Sequence, residues 1–177
     1  HALVRRQRQM CIRDRIGPMG SGKSKIGKIL SEKLGVSLFD IDKEIEKDLN
    51  MPITEMFASK GEEFFRTTET NYLIKTKKIN DCIISTGGGV VEKIKNLELL
   101  ANETNVVFLN CSVESQFENT KDSKKRPLLQ TSDPKLTLQT LYEKRLDSYK
   151  KVSKLELLSD SMSNEEIANK IINHFNV

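Results

Sequence analysis

The stretch GPMGSGKS, residues 17–24, carries the clearest chemistry in the sequence. It fits the pattern G-x-x-x-x-G-K-[ST], in which backbone N–H groups and the start of a following helix surround the phosphates of a nucleotide. We expect Lys23 to reach the β- and γ-phosphates and the hydroxyl of Ser24 to ligate Mg²⁺. The motif predicts a nucleoside triphosphate site without naming the reaction, and a glycine-rich turn that binds nothing is the alternative. The predicted backbone contacts come from Gly17, Gly20, Ser21 and Gly22.

Three arginines stand out because the rest of the chain uses lysine. Residues 17–177 contain 21 lysines and only three arginines, which are Arg66, Arg126 and Arg145. Arginine presents a planar fork that binds a carboxylate or a phosphate through two parallel hydrogen bonds, which lysine cannot do. The three positions therefore suggest an anionic acceptor and a migrating phosphoryl group. Exposed ion pairs are the alternative interpretation.

Two further groups of residues come directly after strand-like segments. Asp40 and Asp42 follow the apolar run 36–39, and a triple-glycine turn follows the run 82–85. Because the carboxyl ends of parallel strands meet at one edge of a sheet, we expect the two groups to converge on one crevice. Asp40 has a second interpretation, as the cap of the helix that begins nearby. The glycines of the turn are Gly87, Gly88 and Gly89.

The elements that must position these residues follow from hydrophobic spacing. Helical spacing predicts helices at 24–34, 42–49, 53–59, 62–78, 92–101, 113–119, 135–151 and 164–175. Short apolar runs predict strands at 36–39, 82–85, 105–109 and 154–158. Strands that alternate with helices are typical of a parallel sheet covered on both faces. The polar stretch 120–134 has no periodicity and is the predicted lid.

The net charge comes from the N-terminal region alone. Residues 1–16 contain five arginines and one aspartate, which account for the whole net charge of +4 at pH 7. The remainder is neutral, so we expect no nucleic-acid partner. No apolar run approaches the roughly 18 residues of a membrane span, so we expect no membrane partner. The cysteines have no metal-ligand spacing and are interpreted as thiols in a reducing cytoplasm.

Six pieces of the chain, in order, resemble the shikimate kinase family over essentially all of residues 17–177. They are GPMGSGKS, FDID, GEEFFR, STGGG, RPLL and KRLDSY. The resemblance implies an α/β fold, a P-loop three-layer sandwich of the nucleoside-monophosphate-kinase type around a five-stranded parallel sheet. It also implies a monomeric cytoplasmic enzyme that uses ATP and Mg²⁺ to phosphorylate the 3-hydroxyl of shikimate, on the route to aromatic amino acids.

The resemblance assigns roles in phosphoryl transfer. Asp42 would hydrogen-bond the ring hydroxyls of shikimate and act as, or orient, the base at the attacking oxygen. Arg126 would close with the lid and, with Lys23, neutralise charge on the transferring group. Asp40 would hold the magnesium shell through water, together with Ser24.

The resemblance also assigns the acceptor pocket. Arg66 and Arg145 would bind the shikimate carboxylate, and Phe57 and Phe65 would form part of the pocket wall. The triple-glycine turn would let the backbone approach the ring, which a Cβ would obstruct. From sequence spacing, Glu69 lies on the same helix face as Arg66 and is expected to hold its guanidinium.

One departure from the family concerns adenine. The family commonly has an arginine about seven residues before the lid arginine, where it stacks on the base. This chain has Asn119 at that position. We therefore expect weaker nucleotide affinity or weaker base selectivity, or that Lys121 takes over the contact.

The second departure is the first strand. In the family a strand of hydrophobic residues precedes the phosphate loop, whereas this chain has HALVRRQRQMCIRDR. A central parallel strand is buried on both faces, so Arg13 and Arg15 would carry the cost of a buried charge. The string RRQRQMCIRDR resembles translated sequencing-adaptor sequence. We interpret residues 1–15 as a non-native leader replacing the first strand and 16–177 as the kinase domain; a basic targeting peptide is the alternative.

Two other functions remain open at the level of sequence. Another small-molecule P-loop kinase, such as a gluconate kinase, also needs cations for a sugar acid, but FDID, the triple glycine and Arg145 disfavour it. A nucleotide-binding module without catalysis is favoured by Asn119 and the altered strand. It is disfavoured by Lys23, Asp42 and the three arginines.

Overall fold

The computed structural model describes residues 15–79, 81–123 and 126–177. Its strands form one five-stranded sheet, and every pairing in it is parallel, in the order β2-β3-β1-β4-β5. The predicted fold class is confirmed. The strands are β1 Arg15–Ile16, β2 Ser37–Asp40, β3 Cys82–Ser85, β4 Val107–Asn110 and β5 Leu155–Leu158.

Seven α-helices connect and cover the strands in the described part of the chain. Their bounds are α1 Lys23–Leu34, α2 Ile41–Leu49, α3 Ile53–Thr76, α4 Ile94–Ala101, α5 Val113–Glu118, α6 Pro134–Val152 and α7 Asn164–Phe175. The predicted break between 59 and 62 is a kink at Gly61, whose φ of 82° and ψ of 165° are not helical. The predicted helix at 92–101 begins later, because the short 3-10 turn Val90–Glu92 precedes α4.

The alternation of side chains along the strands divides the core between the two faces of the sheet. In β3, Ile84 belongs to the cluster that packs with Phe65 and Tyr149, from α3 and α6. Its neighbour Ile83 belongs to the other cluster, which contains residues of α1 and α7 such as Ile26. Helices therefore cover both faces, and the carboxyl ends of the strands remain open to ligands.

The centre of the sheet is occupied by β1, the strand that the sequence analysis expects to be missing or replaced. Arg15 pairs with Ser85 on one side and Val107 on the other, and its side chain is fully buried. Its Nε donates to the carbonyl of Lys23 at 3.2 Å. The strand position is thus filled by a residue that an apolar strand would not contain. The leader remains a prediction, and its residues 1–14 lie outside the described residues.

The helices of the described part of the chain include none that is long and apolar enough to cross a membrane. Cys82 is buried at the start of β3 and Cys111 is buried directly after β4, whereas Cys11 lies outside the described residues.

Candidate active site

The carboxyl ends of the central strands open into a crevice of about 450 Å³. Asp40 and Asp42 from the end of β2 and the start of α2 line it, as does Gly88 from the turn after β3. The predicted convergence of these two groups is confirmed. A second, smaller cavity continues from the crevice, and Asp42, Gly88 and Arg126 line both.

The phosphate loop joins β1 directly to α1. Gly17, Gly20 and Gly22 have φ values of 143°, 78° and 86°, which residues with a Cβ rarely adopt. Lys23 folds back over the loop, and its Nζ donates to the carbonyls of Gly17 at 2.9 Å and Pro18 at 2.7 Å. Burial, reinforced by the charge of Arg126, lowers the pKa of Lys23 to about 8.

Ser24 and Asp40 form a pair of oxygen groups beside the loop. The hydroxyl of Ser24 donates to Asp40 Oδ2 at 2.8 Å. The other carboxylate oxygen, Oδ1, accepts the N–H of Lys43 at 3.4 Å and caps α2. The helix cap is therefore present, and it leaves Oδ2 facing the phosphate loop.

Asp42 lies where the two cavities meet. Its Oδ1 is buried and has no hydrogen-bond partner among the described residues. Burial, together with the negative charge of Asp40, raises the pKa of Asp42 to about 6. A partly desolvated carboxylate with a free oxygen is suited to accept a proton or a hydroxyl hydrogen bond from a ligand.

The triple-glycine turn leaves room for charged side chains. A Cβ added to Gly87 would lie 2.5 Å from Glu69 Oε1 and 2.8 Å from Asp42 Oδ1, and one added to Gly89 would overlap the guanidinium of Arg66. The carbonyl of Gly88 accepts the buried hydroxyl of Tyr149, which fixes the turn against α6. The absence of a Cβ therefore allows the backbone of the turn to lie directly against two protein carboxylates and a guanidinium.

Arg66 and Arg145 meet at the second cavity, which we call the acceptor pocket. Both are buried and both line it, together with Phe57 and Phe65. Arg66 Nη1 donates to Glu69 Oε2 at 3.0 Å, so the predicted partnership with Glu69 is confirmed. Burial and the charge of Asp42 raise the pKa of Glu69 to about 7, against the opposing effect of Arg66.

Arg126 lies within the predicted lid, 120–134, and directly follows Lys124 and Lys125, which lie outside the described residues. The short 3-10 turn Pro127–Leu129 follows it. Because Arg126 lines both the phosphate crevice and the acceptor pocket, its guanidinium stands at their junction.

Asn119 lines the crevice and is hydrogen-bonded to the phosphate loop. Its Nδ2 donates to the carbonyl of Gly20 at 3.0 Å, so its side chain supports the phosphate loop. Sequence reasoning treated this position only as the place of a lost arginine.

Three further residues lie around the arginine pair and were not predicted from the sequence. Glu62 Oε1 accepts from Nε and Nη2 of Arg66 at 3.1 and 2.9 Å, and Glu92 contacts both arginines. Tyr149 holds the glycine turn. Glu62 lies four residues before Arg66, a spacing that brings opposite charges together on a helix. For Glu92 no local pattern gives a signal, because its partners are distant in sequence.

Comparison with known proteins gives a consistent assignment. The family model described as shikimate kinase matches residues 19–176. The shikimate kinase of Marinomonas sp. (strain MWYL1) is 40% identical over 159 residues, covering 89% of this chain and 87% of that protein. That of Legionella pneumophila (strain Corby) is 36% identical over 159 residues, covering 90% and 91%.

Solved structures agree. The shikimate kinase from Acinetobacter baumannii in complex with shikimate has a TM-score of 0.89 and 34% identity, covering 93% of this chain and 92% of that one. A gluconokinase from Sinorhizobium meliloti 1021 has a TM-score of 0.62 at 16% identity, a likeness of fold alone. By the extent of the family match and the identity to these relatives, this chain belongs to the shikimate kinase family.

Proposed function

We propose that this chain transfers the γ-phosphoryl group of ATP to the 3-hydroxyl of shikimate, forming shikimate 3-phosphate for aromatic amino acid biosynthesis. The observation that carries the proposal is the junction of the two cavities at Asp42. On one side lies a phosphate loop, and on the other lies a pocket with two buried arginines. We expect an acceptor with one carboxylate and several ring hydroxyls to bind in the second cavity, with a hydroxyl placed next to Asp42.

The phosphate loop is the proposed donor site. Its N–H groups and the start of α1 would surround the β- and γ-phosphates, with contacts from Gly17, Gly20, Ser21, Gly22 and Ser24. Lys23 would exchange its two loop carbonyls for phosphate oxygens when the nucleotide binds. Since those carbonyls are neutral acceptors, the charged phosphate is the stronger partner.

A magnesium ion fits the residues beside the loop. No cluster of three or more acidic, histidine or cysteine ligands occurs within the described residues, and a nucleotide-bound magnesium ion does not need one. It keeps several waters and takes one or two protein oxygens plus the phosphates. Ser24 Oγ and, through water, Asp40 Oδ2 are the proposed ligands. The ion, when bound, would neutralise phosphate charge, and Ser24 and Asp40 would orient it.

Asp42 is the proposed base, or the residue that orients the attacking hydroxyl. Its unpartnered Oδ1 would accept the 3-hydroxyl proton as the oxygen attacks the γ-phosphorus. Arg126, at the junction, would stabilise the charge of the transferring group together with Lys23. Arg126 already lies at the junction, and closure of the lid would exclude water there.

Arg66 and Arg145 are the proposed ligands of the acceptor carboxylate. The backbone of Gly87, Gly88 and Gly89 would lie against one face of the acceptor ring. Phe57 and Phe65, whose ring centroids are 5.2 Å apart, would form another side of the pocket. The neutral charge of residues 17–177 supports the absence of a nucleic-acid partner, and the family resemblance supports a monomeric cytoplasmic enzyme without a membrane partner.

A coupled ADP-release assay tests the proposal with shikimate, gluconate or no acceptor. We expect rapid release with shikimate and background release otherwise. Release that prefers gluconate would identify the rival kinase. Binding of ATP without acceptor-dependent release under any condition would identify a nucleotide-binding module that lacks catalysis.

A further inference from the structure

Glu92 lies between the two arginines of the acceptor pocket. It ends the 3-10 turn after the triple glycine, and its Oε1 accepts from Arg145 Nη2 while lying 3.6 Å from Arg66 Nη2. Its second oxygen, Oε2, lies 3.2 Å from the exposed amine of Lys144. One carboxylate thus links the guanidinium groups of α3 and α6.

The other carboxylates near the pair do not make this link. Glu62 and Glu69 both lie on α3 and form their ion pairs with Arg66. Among the described residues, the ion pair of Arg145 is with Glu92, and Arg145 Nε is buried without a hydrogen-bond partner. The orientation of Arg145 within the pocket therefore depends on Glu92 more than on any other acidic group described.

The physical problem that Glu92 addresses is repulsion. Two guanidinium groups that must bind the same small carboxylate stand close together with little water around them, where like charges repel strongly. A shared carboxylate offsets that repulsion and fixes both groups at once. Among the described residues, both arginines line the acceptor pocket and Glu92 does not, while Glu92 contacts both guanidinium groups.

We propose that Glu92 is a positioning residue for acceptor binding, which holds Arg66 and Arg145 side by side so that both bind one acceptor carboxylate. The inference rests on the proposed function. Glu92 touches neither substrate, and its effect reaches the acceptor through the arginines alone.

The first test is Glu92→Leu, with shikimate and ATP kinetics measured separately. We expect the KM for shikimate to rise about tenfold, with kcat and the KM for ATP within about twofold. Glu92→Gln keeps an acceptor oxygen and is expected to give a smaller rise. Lys144→Gln removes the exposed partner of the same carboxylate and serves as the matched control, with little expected change.

The second test is a double-mutant cycle with Arg145→Lys. If Glu92 acts through Arg145, adding Glu92→Leu to Arg145→Lys raises the KM for shikimate much less than it does alone. Fully additive effects would overturn the proposal, because they would mean that Glu92 acts independently.

Other outcomes also decide the matter. A fall in the KM for shikimate would show that Glu92 competes with the acceptor, and an unchanged KM would make it an ordinary surface ion pair. A parallel loss of kcat, ATP affinity and melting temperature would indicate general damage; each of these overturns the proposal. If the wild-type protein shows no shikimate-dependent ADP release, the proposed function itself is wrong. That outcome is distinguishable, because the test of Glu92 compares KM values between variants.

Discussion

The phosphate loop and the acceptor pocket meet at Asp42, but the chain builds them differently. The loop consists of eight consecutive residues and relies on backbone groups, with glycines in conformations that they alone adopt readily. The pocket takes its arginines from α3 and α6, and Glu92 of the 3-10 turn Val90–Glu92 contacts both of them. We call the phosphate loop the donor half of the site and the acceptor pocket the acceptor half. Local steric rules are enough to form the donor half. The acceptor half forms only if charged side chains from distant segments balance one another.

The two halves also differ in how a substitution acts. In the loop, a changed side chain at a position other than glycine leaves the backbone N–H groups in place. In the pocket, removal of one charge leaves its buried partner uncompensated, which is costly in a low-dielectric site. We therefore expect sharper, substrate-specific losses from the acceptor half.

The largest effect is expected where the halves meet. Asp42→Asn removes the proposed base, and we expect kcat to fall about 10²- to 10⁴-fold with smaller changes in both KM values. Steady-state kinetics measure this. Glu44→Gln removes a charge from the same helix and is expected to change kcat less than about twofold. An Asp42→Asn enzyme with near-normal kcat would exclude Asp42 as the base.

Arg145→Lys tests whether the acceptor half needs a planar fork. Lysine keeps the charge but loses the paired hydrogen bonds, so we expect the KM for shikimate to rise about 10- to 100-fold. The KM for ATP is the internal control and should stay within about twofold. Equal increases in both KM values would contradict the division into two halves.

Arg15→Leu tests the strand that carries the donor loop. Arg15 is fully buried in the central strand. Its guanidinium packs so closely against Gly27 that a Cβ at that glycine would lie 2.5 Å from Nη2. Leucine supplies the apolar side chain that a central parallel strand normally contains, so we expect the free energy of unfolding to increase by about 2 kcal/mol, measured by urea denaturation. Lys28→Leu, at an exposed position, should stay within about 0.5 kcal/mol. A less stable Arg15→Leu protein would show that the contacts of the guanidinium outweigh its burial.

The pH profile tests the electrostatics of the junction. Because the pKa of Asp42 is raised to about 6, its carboxylate is ionised above that pH and protonated below it. We expect kcat/KM for shikimate to fall about tenfold per pH unit below about 6. The charged groups facing Asp42 are Asp40, Arg126, Lys23, Arg66 and, across Gly87, Glu69.

Glu69→Gln is the control for that profile, since the pKa of Glu69 is also raised, to about 7. If the fall in kcat/KM at low pH stays within about one pH unit of its wild-type position in Glu69→Gln, we assign it to Asp42. A limb that disappears in Glu69→Gln would assign it to Glu69 instead.

The smallest effect is expected at Asn119, on the donor side. Asn119→Arg restores a planar group that can stack on adenine, and we expect the KM for ATP to fall a few-fold. Asn119→Ala loses the hydrogen bond to Gly20 without that gain and should raise the KM slightly. Equal KM values for wild type and Asn119→Arg would contradict the expected role in adenine binding.

Much of the fold was predictable because hydrophobic spacing is local. The strand at 82–85 and the helix at 164–175 coincide with β3 and α7, and the break before residue 62 coincides with the kink at Gly61. The first strand was harder, because the apolar pattern that would indicate it is replaced by arginine. Only pairing with Ser85 and Val107 identifies Arg15 as part of the sheet.

The sequence alone determined the phosphate loop, the order of helices and strands, and the family to which the motifs point. These depend on backbone sterics and on spacing between neighbours. The tertiary structure decided which carboxylates surround Arg66 and Arg145, and it placed Glu92 between them. It also raised the pKa of Asp42. Ion pairing and desolvation depend on groups distant in sequence, and no local pattern encodes their distances.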